Sequence, residues 1–172
     1  MWWVAFEQHD RIPVLTYLNL GIHEGGHMIT YSASELTSSL AGSIAQVLVP
    51  LLFVAYFGFR RGDWVAAGVC LAWAATSAME VSLYVADAPA QKLDLLGENQ
   101  HDWAYILGPD GYGAMDKAAS LSHTIEYAAS IAAVTAALMC LVAPLRGRRP
   151  RQSESDSESM SPASSATATS RP

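Results

Sequence analysis

Residues 47–59 of the chain read VLVPLLFVAYFGF, an uninterrupted apolar run without a charged side chain. Extended back to residue 39, the run is long enough to cross a membrane, because a hydrocarbon core of about 30 Å requires roughly 20 helical residues at about 1.5 Å each. We therefore predict a transmembrane helix over residues 39–59. This helix places the chain in a lipid bilayer.

The rest of the chain has the same character. Hydrophobic residues make up 51% of the 172 positions and charged residues only 15%, which is too apolar for an ordinary soluble protein. Further apolar blocks predict helices over residues 12–31, 64–86 and 118–145. The first block is the least hydrophobic, so hydropathy alone also allows a re-entrant or interfacial helix there. We predict an all-α membrane protein, a bundle of about four transmembrane helices.

The bundle is expected to occupy residues 1–146, with a long loop at 87–116. Residues 147–172 form a Ser-rich tail that is too polar to bury a core, so we expect it to be disordered. Nothing resembles a basic-aromatic surface for nucleic acid, and the expected partner is membrane lipid. The sequence leaves the oligomeric state open.

Basic residues in short loops predict the orientation, since they stay on the cytoplasmic side. Arg60 and Arg61 join the second and third spans, and four arginines follow the fourth span. The loop 87–116 instead carries six acidic residues against Lys92 alone, and is expected to face outward. We predict a protein of the bacterial inner (plasma) membrane with both termini in the cytoplasm.

The first span contains the motif HEGGH at residues 23–27. Residues four apart share one helix face, so His23 and His27 can bind the same zinc ion. Glu24 then lies beside the ion as the general base that takes a proton from a metal-bound water. The alternative is an interfacial polar helix held by hydrogen bonds.

Burial in lipid strengthens the metal interpretation. An acidic residue near the middle of a membrane costs about 2.5–3.5 kcal/mol on translocon scales, and such residues usually mark function. From their positions in the predicted helices, Gln46, Glu80, His123 and Glu126 lie at a depth similar to that of the two histidines. A buried metal site would collect these polar residues into one layer.

A zinc hydrolase usually has three protein ligands and an open fourth position. The first candidate for the third ligand is His101, with Asp102 orienting a neighbouring imidazole. The second is His123, with Glu126 one turn away as its orienter or as a ligand itself. The remaining candidates are Asp110, Asp87 and Glu80.

The motif HEGGH in a membrane span resembles intramembrane zinc metalloproteases of the site-2 protease type. Those enzymes pair H-E-x-x-H with an aspartate in a later D-G motif on a membrane helix. The resemblance implies that His23 and His27 bind zinc and that Glu24 is the base, and the sequence PDG would make Asp110 the third ligand.

The chain is also similar, over residues 19–143, to small bacterial four-span proteins that share three short patterns. Here these are HEGGH at 23–27, DAPAQ at 87–91 and HDW at 101–103. That resemblance implies a fold and a metal, but no particular substrate.

These observations predict a membrane-embedded zinc-dependent hydrolase, a peptidase acting on a membrane-anchored or outer-face protein. The alternative is a metal-binding membrane protein without proteolytic activity, such as a transporter, a sensor or a lipid-modifying enzyme. A third interpretation is a helical bundle with no metal.

Overall fold

The structure, a computed structural model, describes residues 13–93 and 101–147. These residues form helices and connecting loops, with no strand among them, which confirms the all-helical fold. The predicted tail at 147–172 falls outside the described residues apart from its first position. The helices are α1 (Pro13–Thr30), α2 (Glu35–Ala55), α3 (Trp64–Asp87), α4 (Asp102–Leu107) and α5 (Ala118–Gly147). A π-helical turn, Tyr56–Arg60, extends α2, and a 3₁₀ turn, Met115–Lys117, precedes α5.

Three of the four predicted spans are long and apolar enough to cross a membrane. They are Glu35–Arg60, Trp64–Asp87 and Met115–Leu145, so the chain is a membrane protein by helix length and composition. Helix α1 is not among them, in keeping with its lower hydrophobicity. It is the helix that carries HEGGH.

The helices pack in chain order. Helix α1 lies on α2, α2 lies on α3, and α3 makes its most extensive contact with α5. Most of the α5 surface is exposed and apolar, as expected of a helix that contacts lipid. Its large exposed side chains are Tyr127, Ile131, Val134, Leu138, Leu141, Val142 and Leu145.

The short helix α4 lies within the loop predicted at 87–116. It packs mainly against α2 and also touches α3. Its side chains Trp103, Ile106 and Leu107 are buried in the main apolar cluster together with Val81 and Val85 of α3. The Trp103 indole also donates a hydrogen bond to Ser43 Oγ at 3.1 Å. Helix α4 is therefore fixed on the bundle by apolar burial and one directional bond.

The tight α1–α2 contact depends on Gly26, which is buried in the HEGGH motif. A Cβ atom at this position would lie 2.5 Å from the Ala41 carbonyl oxygen and 3.0 Å from Ala45 Cβ. By contrast, a Cβ at Gly25 would meet nothing within 4 Å. The glycine pair was expected to allow close approach, and only Gly26 is in contact with the neighbouring helix.

The two glycines provide a matched test. We expect Gly26→Ala to lower the free energy of unfolding by about 1–3 kcal/mol, because the methyl group overpacks the helix interface. Gly25→Ala should cost nothing and gain up to about 1 kcal/mol from helix propensity. Thermal unfolding followed by helical circular dichroism in mild detergent measures both. Equal stability of the two variants would contradict the packing described for Gly26.

Candidate metal centre

Helix α1 places its two histidines side by side. The ring centroids of His23 and His27 are 4.8 Å apart and the planes meet at 74°. Both imidazoles are largely buried, with side-chain exposures of 12% and 20%. The spacing of four residues therefore produces the pair of nitrogen ligands that the sequence predicted.

The third group is Asp102, the first residue of α4. Its Oδ2 lies 3.2 Å from His23 Nε2 and 3.3 Å from His27 Nε2. Two donors bound at about 2.0 Å to a tetrahedral zinc ion lie roughly 3.3 Å apart, so these two spacings fit zinc. Within the described residues, these three side chains are the one group of His, Cys, Asp and Glu close enough to hold a metal ion.

The outer nitrogens of the imidazoles show which atoms carry protons. His27 Nδ1 lies 2.8 Å from the backbone oxygen of Ser38, which can only accept, so this nitrogen carries the proton. His23 Nδ1 lies 3.3 Å from Gln46 Oε1, again an acceptor. In neutral rings both Nε2 atoms are then unprotonated, and they converge with a carboxylate oxygen. Three electron-pair donors around one point require either added protons or a cation.

Gly42 leaves space beside the point where the two imidazole nitrogens and the carboxylate oxygen converge. A Cβ atom at Gly42 of α2 would lie 2.6 Å from Nε2 of both His23 and His27. The α2 backbone thus forms one wall beside the two ligand nitrogens, and any larger residue would fill the space next to them. The donor spacing and the space left at Gly42 are compatible with a metal ion at this place.

Glu24 borders the same space. A groove of about 300 Å³ is lined by Glu24, His27 and Asp102 together with the first turn of α2 and the end of α1. Within the described part of the chain, the Glu24 carboxylate has no hydrogen-bond partner. It is therefore free to accept a proton from a molecule in the groove, as a general base must be.

His101 supports Asp102 and is not a member of the cluster. Its Nδ1 accepts a hydrogen bond from Ala104 N at 3.2 Å, which caps the start of α4. Its ring stacks on Tyr84 at 4.3 Å, and the Tyr84 hydroxyl accepts a hydrogen bond from Asp102 N. His101 was predicted as the first candidate ligand, with Asp102 as an orienter of a neighbouring imidazole, whereas in the structure Asp102 is the residue that meets the histidine pair.

The far nitrogen of His101 faces Asp87. His101 Nε2 lies 3.4 Å from Asp87 Oδ2 but is not aligned as a hydrogen bond with any described residue. Burial lowers the pKa of His101, and the Asp87 carboxylate opposes this shift. Asp87 also accepts hydrogen bonds from Lys92 N and Leu93 N, so it folds the chain back after α3. Asp87 is thus placed beside the loop and not in the cluster.

The other candidate ligands lie elsewhere. His123 is 67% exposed on α5 and pairs with Glu126 at 3.2 Å, so the structure does not bring either to the histidine pair. Asp110 is exposed in the turn after α4. Glu80 lies behind the site, where its Oε2 accepts a hydrogen bond from Gln46 Nε2. Of the predicted polar layer, Gln46 and Glu80 join the site and the α5 residues do not.

Sequence reasoning did not identify the roles of Gly42 and of the Ser38 carbonyl. A backbone oxygen has no sequence signature, and a small residue on α2 gains meaning only when the helix that it faces is known. Asp102 did carry a signal, since acidic residues are favoured in the first turn of a helix. The structure places it at the first position of α4, directly after the capping residue His101.

Comparison with known proteins adds no family to this geometry. No protein-family model, no curated protein and no solved structure matches the chain.

The ligand set can be tested by metal analysis. We expect Asp102→Ala to lose stoichiometric zinc after purification in mild detergent, because it removes one of three ligands. His123→Ala should retain zinc, since that imidazole is exposed on α5. Inductively coupled plasma mass spectrometry of both variants beside the wild type measures this. Zinc retained by Asp102→Ala but lost from His123→Ala would contradict the site.

The role of Gly42 can be tested separately. Gly42→Ala places a methyl group against the ends of two side chains that can rotate away, so the fold should survive. The rings can then no longer converge, and we expect zinc to bind about 10- to 100-fold more weakly, the range typical of a disturbed ligand environment. Chelator competition measures the affinity, and Gly21→Ala, which faces open space on α1, is the control. Unchanged affinity in Gly42→Ala would exclude this role.

Proposed function

We propose that the chain is a membrane-embedded zinc-dependent hydrolase. His23, His27 and Asp102 would hold the ion, and Glu24 would act as general base. The observation that supports this most directly is the convergence of two imidazole nitrogens and one carboxylate oxygen beside Glu24, whose carboxylate has no hydrogen-bond partner among the described residues. A zinc ion held there would polarise a substrate carbonyl and make a water molecule acidic enough to lose a proton near neutral pH.

The protein side chains have separate tasks in this proposal. Glu24 accepts a proton from the attacking water and later delivers it to the leaving group, from its place in the groove beside His27. Gln46 and the Ser38 carbonyl hold the two imidazoles by their outer nitrogens, which keeps the ligand atoms turned inward. His101 and Tyr84 hold the start of α4 and thereby the Asp102 carboxylate.

The resemblance to site-2 proteases supports peptide hydrolysis. Its implied ligand set, two histidines of H-E-x-x-H and one later aspartate, has the same chemistry as the cluster found here. In this chain the aspartate stands on a short helix between two spans, whereas that family places it on a membrane helix. Asp102 would take this place, and Asp110 would not.

A substrate would reach the site through the groove between α1 and the start of α2. Met28 and Tyr31 line it together with Glu24 and His27, so the α1 side offers apolar contacts next to the reacting groups. A membrane-anchored protein would have to present an extended segment there. With α1 as a fourth span and both termini in the cytoplasm of a bacterium, the groove would open at the outer face of the inner membrane.

The Glu24→Gln variant tests the proposal. It keeps the size of the side chain but cannot accept the proton, so we expect zinc to stay bound and hydrolysis to fall by about 10²- to 10⁴-fold. The measurement is cleavage of a library of single-span peptides in phosphatidylethanolamine and phosphatidylglycerol vesicles, read by mass spectrometry. Zinc content is determined on the same samples.

A matched control is Glu126→Gln, which removes a carboxylate from α5 outside the groove and should leave cleavage unchanged. If the zinc-loaded wild type cleaves no peptide, or if Glu24→Gln cleaves as fast as the wild type, the peptidase proposal fails. Retained zinc without any cleavage would instead favour a transporter, a sensor or a lipid-modifying enzyme.

A further inference from the structure

A chain of hydrogen bonds leads from His23 away from the metal centre and across three helices. His23 Nδ1 faces Gln46 Oε1 on α2, and Gln46 Nε2 lies 2.8 Å from Glu80 Oε2 on α3. Glu80 Oε2 is also 2.8 Å from Asn19 Nδ2 on α1, and Asn19 Oδ1 lies 2.8 Å from Trp73 Nε1 on α3. Asn19 and Gln46 are both buried.

At the Trp73 end of this series of hydrogen bonds, the donor and the acceptor are both fixed. An indole nitrogen can only donate, so Trp73 must meet the oxygen of the Asn19 amide. The Ser77 hydroxyl donates to the same oxygen at 3.3 Å. The nitrogen of Asn19 is therefore turned toward Glu80, and the usual ambiguity between amide oxygen and nitrogen is removed.

The hydrogen bonds of Glu80 determine the orientation of the Gln46 amide on α2. Glu80 Oε2 receives both the Asn19 and the Gln46 amide groups, so this oxygen is the acceptor in both bonds. Gln46 must then present its nitrogen to Glu80 and its oxygen to His23. An oxygen at that place accepts a proton from His23 Nδ1.

We propose that Trp73, Asn19, Glu80 and Gln46 form a polar relay that keeps the proton of His23 on Nδ1 and leaves Nε2 free to bind a metal. Glu80 and Gln46 are positioning residues in this proposal. The inference rests on the proposed metal centre and assigns a function to a carboxylate that the lipid environment would otherwise disfavour.

The relay opposes the effect of Asp102 on the position of the His23 proton. The Asp102 carboxylate lies 3.2 Å from His23 Nε2 and, without a metal, would favour a proton on that nitrogen. His27 needs no relay, because the Ser38 backbone oxygen already fixes its tautomer. The side chain of Gln46 can turn over, whereas a backbone carbonyl cannot, and this explains why only His23 is backed by further polar residues.

Isosteric exchange of the polar groups tests the relay. Gln46→Met removes the acceptor of the His23 Nδ1 proton, and we expect zinc affinity to fall by about 10- to 100-fold, the range for a lost partner of a metal ligand. Glu80→Met leaves the Gln46 amide free to turn over and should lower the affinity in the same direction.

The affinity is measured by chelator competition on the full chain in mild detergent. Thr76→Ala is the control, since this exposed hydroxyl on α3 donates to the backbone oxygen of Trp73 and takes no part in the relay. If Gln46→Met or Glu80→Met binds zinc like the wild type, the relay is refuted.

A second measurement separates the relay from the metal centre. Nitrogen chemical shifts of ¹⁵N-labelled histidine distinguish the two tautomers in metal-free protein, at a pH where both imidazoles are neutral. We expect His23 to carry its proton on Nδ1 in the wild type and to shift toward Nε2 in Gln46→Met, while His27 stays unchanged in both.

The two measurements distinguish failure of the relay from failure of the proposed metal centre. A His23 proton on Nε2 in the metal-free wild type overturns the relay, even if zinc binds. A proton on Nδ1 in a protein that binds no zinc supports the relay and overturns the proposed hydrolase.

Discussion

The contact between one carboxylate oxygen and two imidazoles organises one end of this bundle. Asp102 Oδ2 lies within 3.3 Å of both His23 and His27, so α1 and α4 meet at a single atom. Such a contact is costly unless something positive stands between the groups. The surrounding structure is arranged around that requirement: Gly42 leaves the space and Ser38 holds one ring.

Much of this arrangement follows from local sequence rules. The length of each apolar run predicts the spans, and the helical repeat brings His23 and His27 to one face. Depth in the bilayer also predicts that Gln46 and Glu80 lie near the histidines, since each helix rises by a constant amount per residue. Depth does not reveal how a helix is rotated about its own axis. Depth alone therefore could not show that His123 and Glu126 point away from the site.

The third ligand could not be derived in the same way. His101 and Asp102 are neighbours, and the choice between them depends on how α4 is seated. That seating is set by contacts far apart in the chain, above all Trp103 against Ser43 and Ile106 within the apolar cluster. The sequence pointed to the dipeptide His101–Asp102, and tertiary packing determines that Asp102 is the member that faces the histidines.

The position of Asp102 in the chain also fixes the order of assembly. It stands 79 residues after His23, beyond α2 and α3, so the three side chains of the cluster cannot meet while the first helices are being inserted. They come together only after α3 has been synthesised and α4 has packed on the bundle. The proposed metal centre would therefore be completed late in synthesis, on the side of the bilayer where α4 lies.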